Sequence, residues 1–131
     1  MKTTVLDASA WINILLGLAS GQILRDHQVV VPAHFDVEVT STLRRLLLAD
    51  RIGAIDFEDA VEAHLDFPFT RVPFNESDLR RCLSWKGRMS VADAWYVAVA
   101  ERFDAPWITD DERAARTAES LGVRTERQLH D

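Results

Sequence analysis

The sequence has 131 residues, of which 47% are hydrophobic, so it suits one compact domain over residues 1–131 and excludes two ordinary ones. The net charge of −6 excludes a broad basic surface, so contact with nucleic acid would need a local basic patch or bound cations. The single cysteine, Cys82, excludes an internal disulfide and fits a reducing compartment. No apolar run approaches the roughly 18 residues that span a bilayer, and we expect a cytoplasmic protein with no membrane contact.

The first half of the chain alternates predicted strands and helices. A buried strand over residues 3–6 stops on Asp7, and a helical pattern follows over residues 11–16. Residues 19–27 predict a second short helix, and residues 29–31, closed by Pro32, predict a second buried strand. A helix over residues 33–50 comes next, with Glu38 in its second turn.

The second half continues the alternation. The pattern predicts a helix over residues 56–66 capped by Asp56, a strand over 69–72 and a helix capped by Asn75 or Ser77. A helix that begins at Ser90 and a strand that ends near Ile108 follow. The chain is then predicted to form a helix up to Gly122 and a last strand over residues 123–125. Strands that alternate with helices in this way indicate a parallel sheet.

Asp7 lies at the switch from the first strand to the first helix. In an open α/β sheet ligands bind outside the carboxyl ends of the strands, so an acid at this point is placed for chemistry. Asp and Ser are also common helix caps, and Asp7 by itself fits either role.

Three later acidic positions have similar alternatives. Glu38 lies at the edge of an apolar helical stripe, although an isolated Glu is more often a solvated surface residue. Asp93 opens a helix rich in small residues, but the spacing from Ser90 also resembles a capping box. Asp110 and Asp111 follow the late strand, where residues 109–112 match a capping box as well.

We expect these acids to lie close together, because right-handed crossovers bring successive strand ends to one edge of a parallel sheet. Three or four carboxylates there would repel one another by several kcal/mol at an effective dielectric of about 20, unless they were protonated or bridged by a cation. Oxygen ligands without a Cys or paired His favour Mg²⁺ or Mn²⁺, which also take phosphate oxygens. The chemistry that this predicts is phosphoryl transfer, in which one metal would polarise the scissile phosphate and lower the pKa of a bound water.

With Asp7 assigned to the metal, Ser9 becomes the expected cap of the first helix. Basic residues provide the candidates for contact with nucleic acid. The densest positive region consists of Arg80, Arg81, Lys86 and Arg88. Arg44 and Arg45, two turns after Glu38, are the first candidates for phosphate contacts and fit ordinary surface charges equally well.

These motifs resemble those of the PIN-domain ribonucleases, and their length and order resemble the VapC-like toxins of bacterial type II toxin–antitoxin systems. The resemblance rests on residues 6–10 (Leu-Asp-Ala-Ser-Ala), Glu38, residues 90–94 (Ser-Val-Ala-Asp-Ala) and residues 108–111 (Ile-Thr-Asp-Asp). It covers essentially the whole chain.

The resemblance implies a three-layer α/β/α sandwich around a mainly parallel five-stranded sheet and a Mg²⁺- or Mn²⁺-dependent endoribonuclease site. Asp7, Glu38 and Asp93 match the first three acids of the family. The usual Thr-x-Asp spacing selects Asp111 as the fourth, with Asp110 as the alternative. Ser9 and Thr109 would support the carboxylates. The family also implies an RNA substrate, a cognate antitoxin and a homodimer or higher toxin–antitoxin assembly.

Other classes fit the sequence less well. A catalytically idle PIN-like module that binds RNA or protein is the main alternative, although every matching acid is present. A receiver-like domain expects a lysine after a late strand, where this chain has none, and a haloacid-dehalogenase-like phosphatase expects Asp-x-Asp, where position 9 is Ser. The histidines, His27, His34, His64 and His130, lie in no recognisable nucleophile motif.

Overall fold

Five parallel strands form one sheet at the centre of the molecule. The structure is a computed structural model that describes residues 1–128; residues 129–131 of the predicted domain, including His130, lie outside the described residues. The strands are β1 (Lys2–Leu6), β2 (His27–Pro32), β3 (Thr70–Val72), β4 (Trp107–Ile108) and β5 (Thr125–Glu126). Their order across the sheet is β3-β2-β1-β4-β5, with every pairing parallel.

Helices cover both faces of this sheet. They are α1 (Ala8–Leu15), α2 (Phe35–Leu48), α3 (Ala54–Asp66), α4 (Glu76–Ser84), α5 (Val91–Arg102) and α6 (Glu112–Ser120). Right-handed crossovers place α1, α2 and α3 on one face and α4, α5 and α6 on the other. The first three pack against one another, and α4 packs against α5. The predicted three-layer α/β/α architecture is therefore confirmed.

The central strands are apolar because both of their faces are covered. Val5, Leu6 and Val29–Val31 are almost fully buried, as expected for a parallel sheet between two helix layers. Helix α5 lies close to β1 and β2, and its buried alanines Ala94, Ala98 and Ala100 permit that close approach.

The strand order reverses at β1. The chain moves from β1 outward to β2 and β3, then crosses back to β4 on the other side of β1. In an open α/β sheet this reversal leaves a crevice outside the carboxyl ends of the two strands. Asp7 follows β1 directly, and residues 109–111 follow β4, so the topology places both acidic segments at the crevice.

Several predicted boundaries were wrong. The helix predicted over residues 19–27 is only a single 3-10 turn at Gly21–Leu24, because Asp26 adopts a left-handed backbone (φ 59°) and His27 already pairs with Lys2 in the sheet. Helix α3 begins after Gly53, which makes Asp56 a first-turn residue and not the cap. The last strand, predicted over residues 123–125, is displaced to Thr125–Glu126, where it pairs with β4.

No helix within residues 1–128 combines the length and apolar character that crossing a membrane requires.

Candidate active site

A cavity of about 660 Å³ opens at the carboxyl ends of β1 and β4. The structure brings the predicted acids to it from four separate segments of the chain. Its lining includes Asp7, Glu38, Asp93, Asp110 and Asp111. We call this the acid cavity. The acids were predicted to meet at one edge of the sheet, and they do so in the crevice created by the reversal of strand order.

Asp7 is the most enclosed of these acids, with only 5% of its surface exposed. Its Oδ1 accepts hydrogen bonds from the Ser9 hydroxyl at 2.8 Å and from the Ala10 backbone N–H at 3.0 Å. The second bond makes Asp7 the N-cap of α1. The prediction that Ser9 caps this helix was therefore wrong, because Ser9 lies within its first turn and donates to the capping carboxylate.

Burial raises the pKa of Asp7 from 3.8 to about 6, even though hydrogen bonds from Thr109, Ala10 and Ser9 stabilise the charged form. The negative charge of Asp93 raises it further. The Thr109 side chain is completely buried, so it supports Asp7 from beneath and does not line the cavity. An ionised Asp7 is consequently costly here unless a cation offsets its charge.

Glu38 is positioned by a tyrosine that sequence reasoning did not identify. The Tyr96 hydroxyl donates to Glu38 Oε1 over 2.7 Å, and Tyr96 is 1% exposed. His34 Nε2 lies 3.6 Å from the same carboxylate oxygen. A signal for both existed in the helical spacing, because Tyr96 comes three residues after Asp93 and His34 four residues before Glu38, which puts each pair on one helix face.

Asp93 lies in the first turn of α5, where the Ser90 hydroxyl accepts a hydrogen bond from its backbone N–H at 3.2 Å. Burial raises the pKa of Asp93, and the charges of Asp111 and Glu38 raise it further. The acids of the cavity are thus close enough to disfavour one another's ionisation.

The two consecutive acids after β4 have different surroundings. Asp110 Oδ2 accepts hydrogen bonds from Asn13 Nδ2 and Gln128 Nε2, each at 2.7 Å, so this carboxylate connects α1 to the end of the described chain. Asp111 caps α6 by accepting from the Ala114 N–H at 3.0 Å. The capping box predicted over residues 109–112 was therefore wrong, since the cap is Asp111 and not Thr109.

The donor set suits a hard divalent cation that retains much of its water. Within residues 1–128 no three acidic, histidine or cysteine side chains are already gathered closely enough to bind an ion alone. Mg²⁺ needs only one or two carboxylates together with water and substrate oxygens. Burial raises the pKa of both Asp7 and Asp93, and neighbouring carboxylates raise it further, so a cation would favour their charged forms. The residues therefore fit Mg²⁺ or Mn²⁺.

The four basic residues predicted to bind RNA do not line the acid cavity. Arg80 pairs with Glu76 on its own helix, and Arg81 forms two hydrogen bonds with Glu101 while lying over the Trp85 ring. Arg88 donates to Ser120, and Lys86 is exposed in the turn after α4. Their RNA-binding role stays a prediction. Among residues 1–128, the arginine or lysine that does line the cavity is Arg45.

Comparison with known proteins gives consistent results. The PIN domain family model matches residues 4–120 of this chain. Among curated proteins, Ribonuclease VapC12 of Mycobacterium tuberculosis is 37% identical over 133 residues, which cover 95% of this chain and 97% of that protein. Ribonuclease VapC9 of the same species is 33% identical over 117 residues, covering 88% and 91%.

Solved structures share the fold at low sequence identity. PAE2754 from Pyrobaculum aerophilum superimposes with a TM-score of 0.70 at 18% identity, covering 95% of this chain and 83% of that one. A chain of VapBC2 from Rickettsia felis, bound to a fragment of promoter DNA, gives 0.69 at 8% identity with coverages of 95% and 98%.

Proposed function

Because the chain belongs to the PIN domain family, we propose that it is a metal-dependent endoribonuclease and the toxin of a type II toxin–antitoxin pair. The curated relatives are named ribonucleases, and they align over nearly their whole length. The observation that carries the proposal is the acid cavity, which gathers Asp7, Glu38, Asp93 and Asp111 at the strand-order reversal. We include the whole chain, residues 1–131, in one such domain.

Asp7 and Asp93, with Glu38 and Asp111, are the residues that would hold Mg²⁺ or Mn²⁺. Such an ion supplies a water of lowered pKa and polarises the phosphate that is attacked. A negatively charged phosphate would need a cation to enter this cavity, since burial and the charges of Asp111 and Glu38 already raise the pKa of Asp93.

The remaining polar residues hold these acids in place. Ser9 and Thr109 donate hydrogen bonds to the Asp7 carboxylate and favour its charged form. Tyr96 performs the same task for Glu38. Asp110 lines the cavity but is bound by Asn13 and Gln128, which favours a supporting role and leaves Asp111 as the fourth acid. Preorganised partners of this kind orient the groups that bind a metal.

Solved structures that share the fold support the proposed partners. A chain of a Klebsiella pneumoniae toxin–antitoxin complex shares the fold at 14% identity and a TM-score of 0.64. We propose a cognate antitoxin for this chain, an RNA substrate, a homodimer or higher toxin–antitoxin assembly, and a cytoplasmic location.

The test is cleavage of single-stranded RNA by the wild type with Mg²⁺, with Mn²⁺ and with a chelator, next to Asp7→Asn. We expect cleavage only with a divalent ion and a loss of roughly a hundredfold or more in the variant, because Asn keeps the shape of Asp7 without its charge. Attack by water does not use the ribose 2′-hydroxyl, so an RNA with a 2′-deoxy residue at the cleaved position should still be cut.

Products ending in a 2′,3′-cyclic phosphate, or equal cleavage by Asp7→Asn, would contradict the proposal. Binding of RNA without cleavage under every metal condition would favour the idle PIN-like module.

A further inference from the structure

A groove of about 560 Å³ lies beside the acid cavity on the surface of α2. The groove and the cavity share one lining residue, Arg45. We call it the α2 groove, and it is lined by Thr40, Ser41, Arg44, Arg45, Leu48 and Ala49. A strand that enters the acid cavity can therefore continue along α2 without leaving the surface.

Charge distinguishes this groove from the acid cavity. Arg45 is the only basic residue that lines the acid cavity within residues 1–128, whereas five acids do so. Arg44 and Arg45 are both exposed, and neither forms an ion pair with another residue in the range 1–128 that the structure describes. By contrast, Arg71, Arg81 and Arg102 are each bound to a carboxylate. The α2 groove thus offers two guanidinium groups that can bind phosphate without first breaking an ion pair with a protein carboxylate.

The residues next to the α2 groove indicate in which direction along α2 an RNA strand would run. Towards the start of α2, the next concave surface is lined by Asp36, whose carboxylate is held by Arg71 and His64 and offers no free cation to phosphate. The Thr40 hydroxyl donates to the Asp36 backbone carbonyl and is occupied, while Ser41 presents its hydroxyl beside Arg44 and Arg45. Positive charge therefore increases towards the end of α2, where it also complements the helix dipole.

We propose that the α2 groove binds the RNA strand next to the scissile phosphate, with Arg45 contacting the first phosphate outside the acids and Arg44 the following one. This inference rests on the proposed function and adds a substrate-binding site to it. A basic groove that follows the backbone, with no bonds to base edges, is how single strands are bound without regard to sequence. Arg44 and Arg45 are positioning residues, because neither touches the bond that is cut.

Binding is measured first, in the Asp7→Asn background so that RNA is not cleaved. The dissociation constant of a labelled single-stranded RNA is followed against salt concentration for Arg45→Ala, Arg44→Ala, both together and Arg45→Lys. We expect each Ala to reduce the slope of log K against log salt by about 0.7, and both together by about 1.4. Arg45→Lys should retain the slope because it keeps the charge. Arg25→Ala, which removes an exposed arginine just before the amino end of β2, is the matched control and should leave the slope unchanged.

Steady-state cleavage by proteins that retain Asp7 then shows whether the substitutions change substrate binding or the chemical step. Arg45→Ala should raise KM several-fold and leave kcat nearly unchanged, since the lost contact is made equally in the bound and transition states. A wild type that cleaves RNA, combined with unchanged slopes and KM in Arg44→Ala and Arg45→Ala, would overturn the inference and leave the proposed function intact. A wild type that does not cleave RNA under any metal condition would instead remove the proposed function.

The alternative is that Arg44 and Arg45 bind the antitoxin and not RNA. Variants that bind RNA with wild-type affinity and slope but no longer bind the antitoxin would also overturn the inference.

Discussion

The Tyr96 hydroxyl donates a 2.7 Å hydrogen bond to Glu38 Oε1 and thereby connects α5 to α2 across the acid cavity. Tyr96 is buried, and its ring stacks on Trp107 with an interplanar angle of 11°. Burial and the negative charge of Glu38 raise the pKa of Tyr96, so its hydroxyl stays protonated and remains a donor. The position of Glu38 thus depends on a side chain from the opposite helix layer.

Replacing Tyr96 by Phe removes this donor and keeps the stacked ring. We expect the Mg²⁺ concentration for half-maximal RNA cleavage to rise roughly tenfold or more, because second-shell hydrogen bonds contribute about that much to metal affinity. The free energy of unfolding should fall by only about 1 kcal/mol. Glu38→Gln and the double variant complete the cycle. Fully additive effects of the two substitutions would show that the hydrogen bond does not couple these residues.

The raised pKa of Asp7 predicts a dependence of stability on pH. The unfolded chain protonates Asp7 near 3.8 and the folded chain near 6. The folded state therefore binds the proton more tightly, and its contribution to stability is complete below pH 3.8 and is lost as pH rises to about 6. Above that pH the ionised carboxylate costs about 3 kcal/mol in the absence of metal.

Asp7→Asn lacks this penalty. Urea unfolding without divalent ions should find the variant more stable than the wild type at pH 7.5, by up to about 3 kcal/mol, and similar to it at pH 4. The same difference in stability at both pH values would exclude ionisation of Asp7 as its cause.

Divalent ions should stabilise the folded protein because they bind the assembled acids and not the unfolded chain. An ion at a hundred times its dissociation constant adds about 2.7 kcal/mol. We expect Mg²⁺ and Mn²⁺ to raise the melting temperature of the wild type at pH 7.5 and to have little effect on Asp93→Asn. The exposed Asp59 on α3 provides the control, and Asp59→Asn should respond like the wild type. An equal response in all three proteins would place the ion elsewhere.

The consecutive acids after β4 should respond differently to substitution. Asp111→Asn removes a negative charge that already acts on Asp93 and should lower the cleavage rate by roughly ten- to a hundredfold. Asp110→Asn keeps an oxygen that can accept the bonds from Asn13 and Gln128 and should cleave at close to the wild-type rate. A slower rate for Asp110→Asn than for Asp111→Asn would show that Asp110 is the fourth acid and Asp111 the supporting residue.

A buried histidine away from the acid cavity is predicted to matter only for stability. His64 Nδ1 accepts from the Trp11 indole at 2.9 Å, and Nε2 donates to Asp36 Oδ1 at 2.7 Å. His64→Leu would leave the buried Trp11 N–H unpaired and should reduce the free energy of unfolding by about 2 kcal/mol. Cleavage measured below the melting temperature should be unchanged. A loss of activity without a loss of stability would contradict this assignment.

The sequence predicted the strand and helix order because buried strands such as 29–31 and the stripe of α2 have clear periodicity. It also predicted which acids lie together, since Asp7, Asp93 and Asp111 stand at strand ends or helix starts. Helical spacing placed Tyr96 on the same face as Asp93, but it could not pair Tyr96 with Glu38, nor Asn13 and Gln128 with Asp110, because these bonds join residues 58, 97 and 18 positions apart. Capping was misassigned at Ser9 because Asp7 serves both the helix and the cavity.

The central claim is that the acid cavity binds the divalent ion on which RNA cleavage depends. The most direct measurement is the initial rate of cleavage of a single-stranded RNA across a Mg²⁺ titration for the wild type, Asp93→Asn and Asp59→Asn. We predict the same saturating curve for the wild type and Asp59→Asn, and a rate near background for Asp93→Asn at every concentration. A wild-type rate that does not depend on Mg²⁺, or an unchanged curve for Asp93→Asn, would contradict the claim.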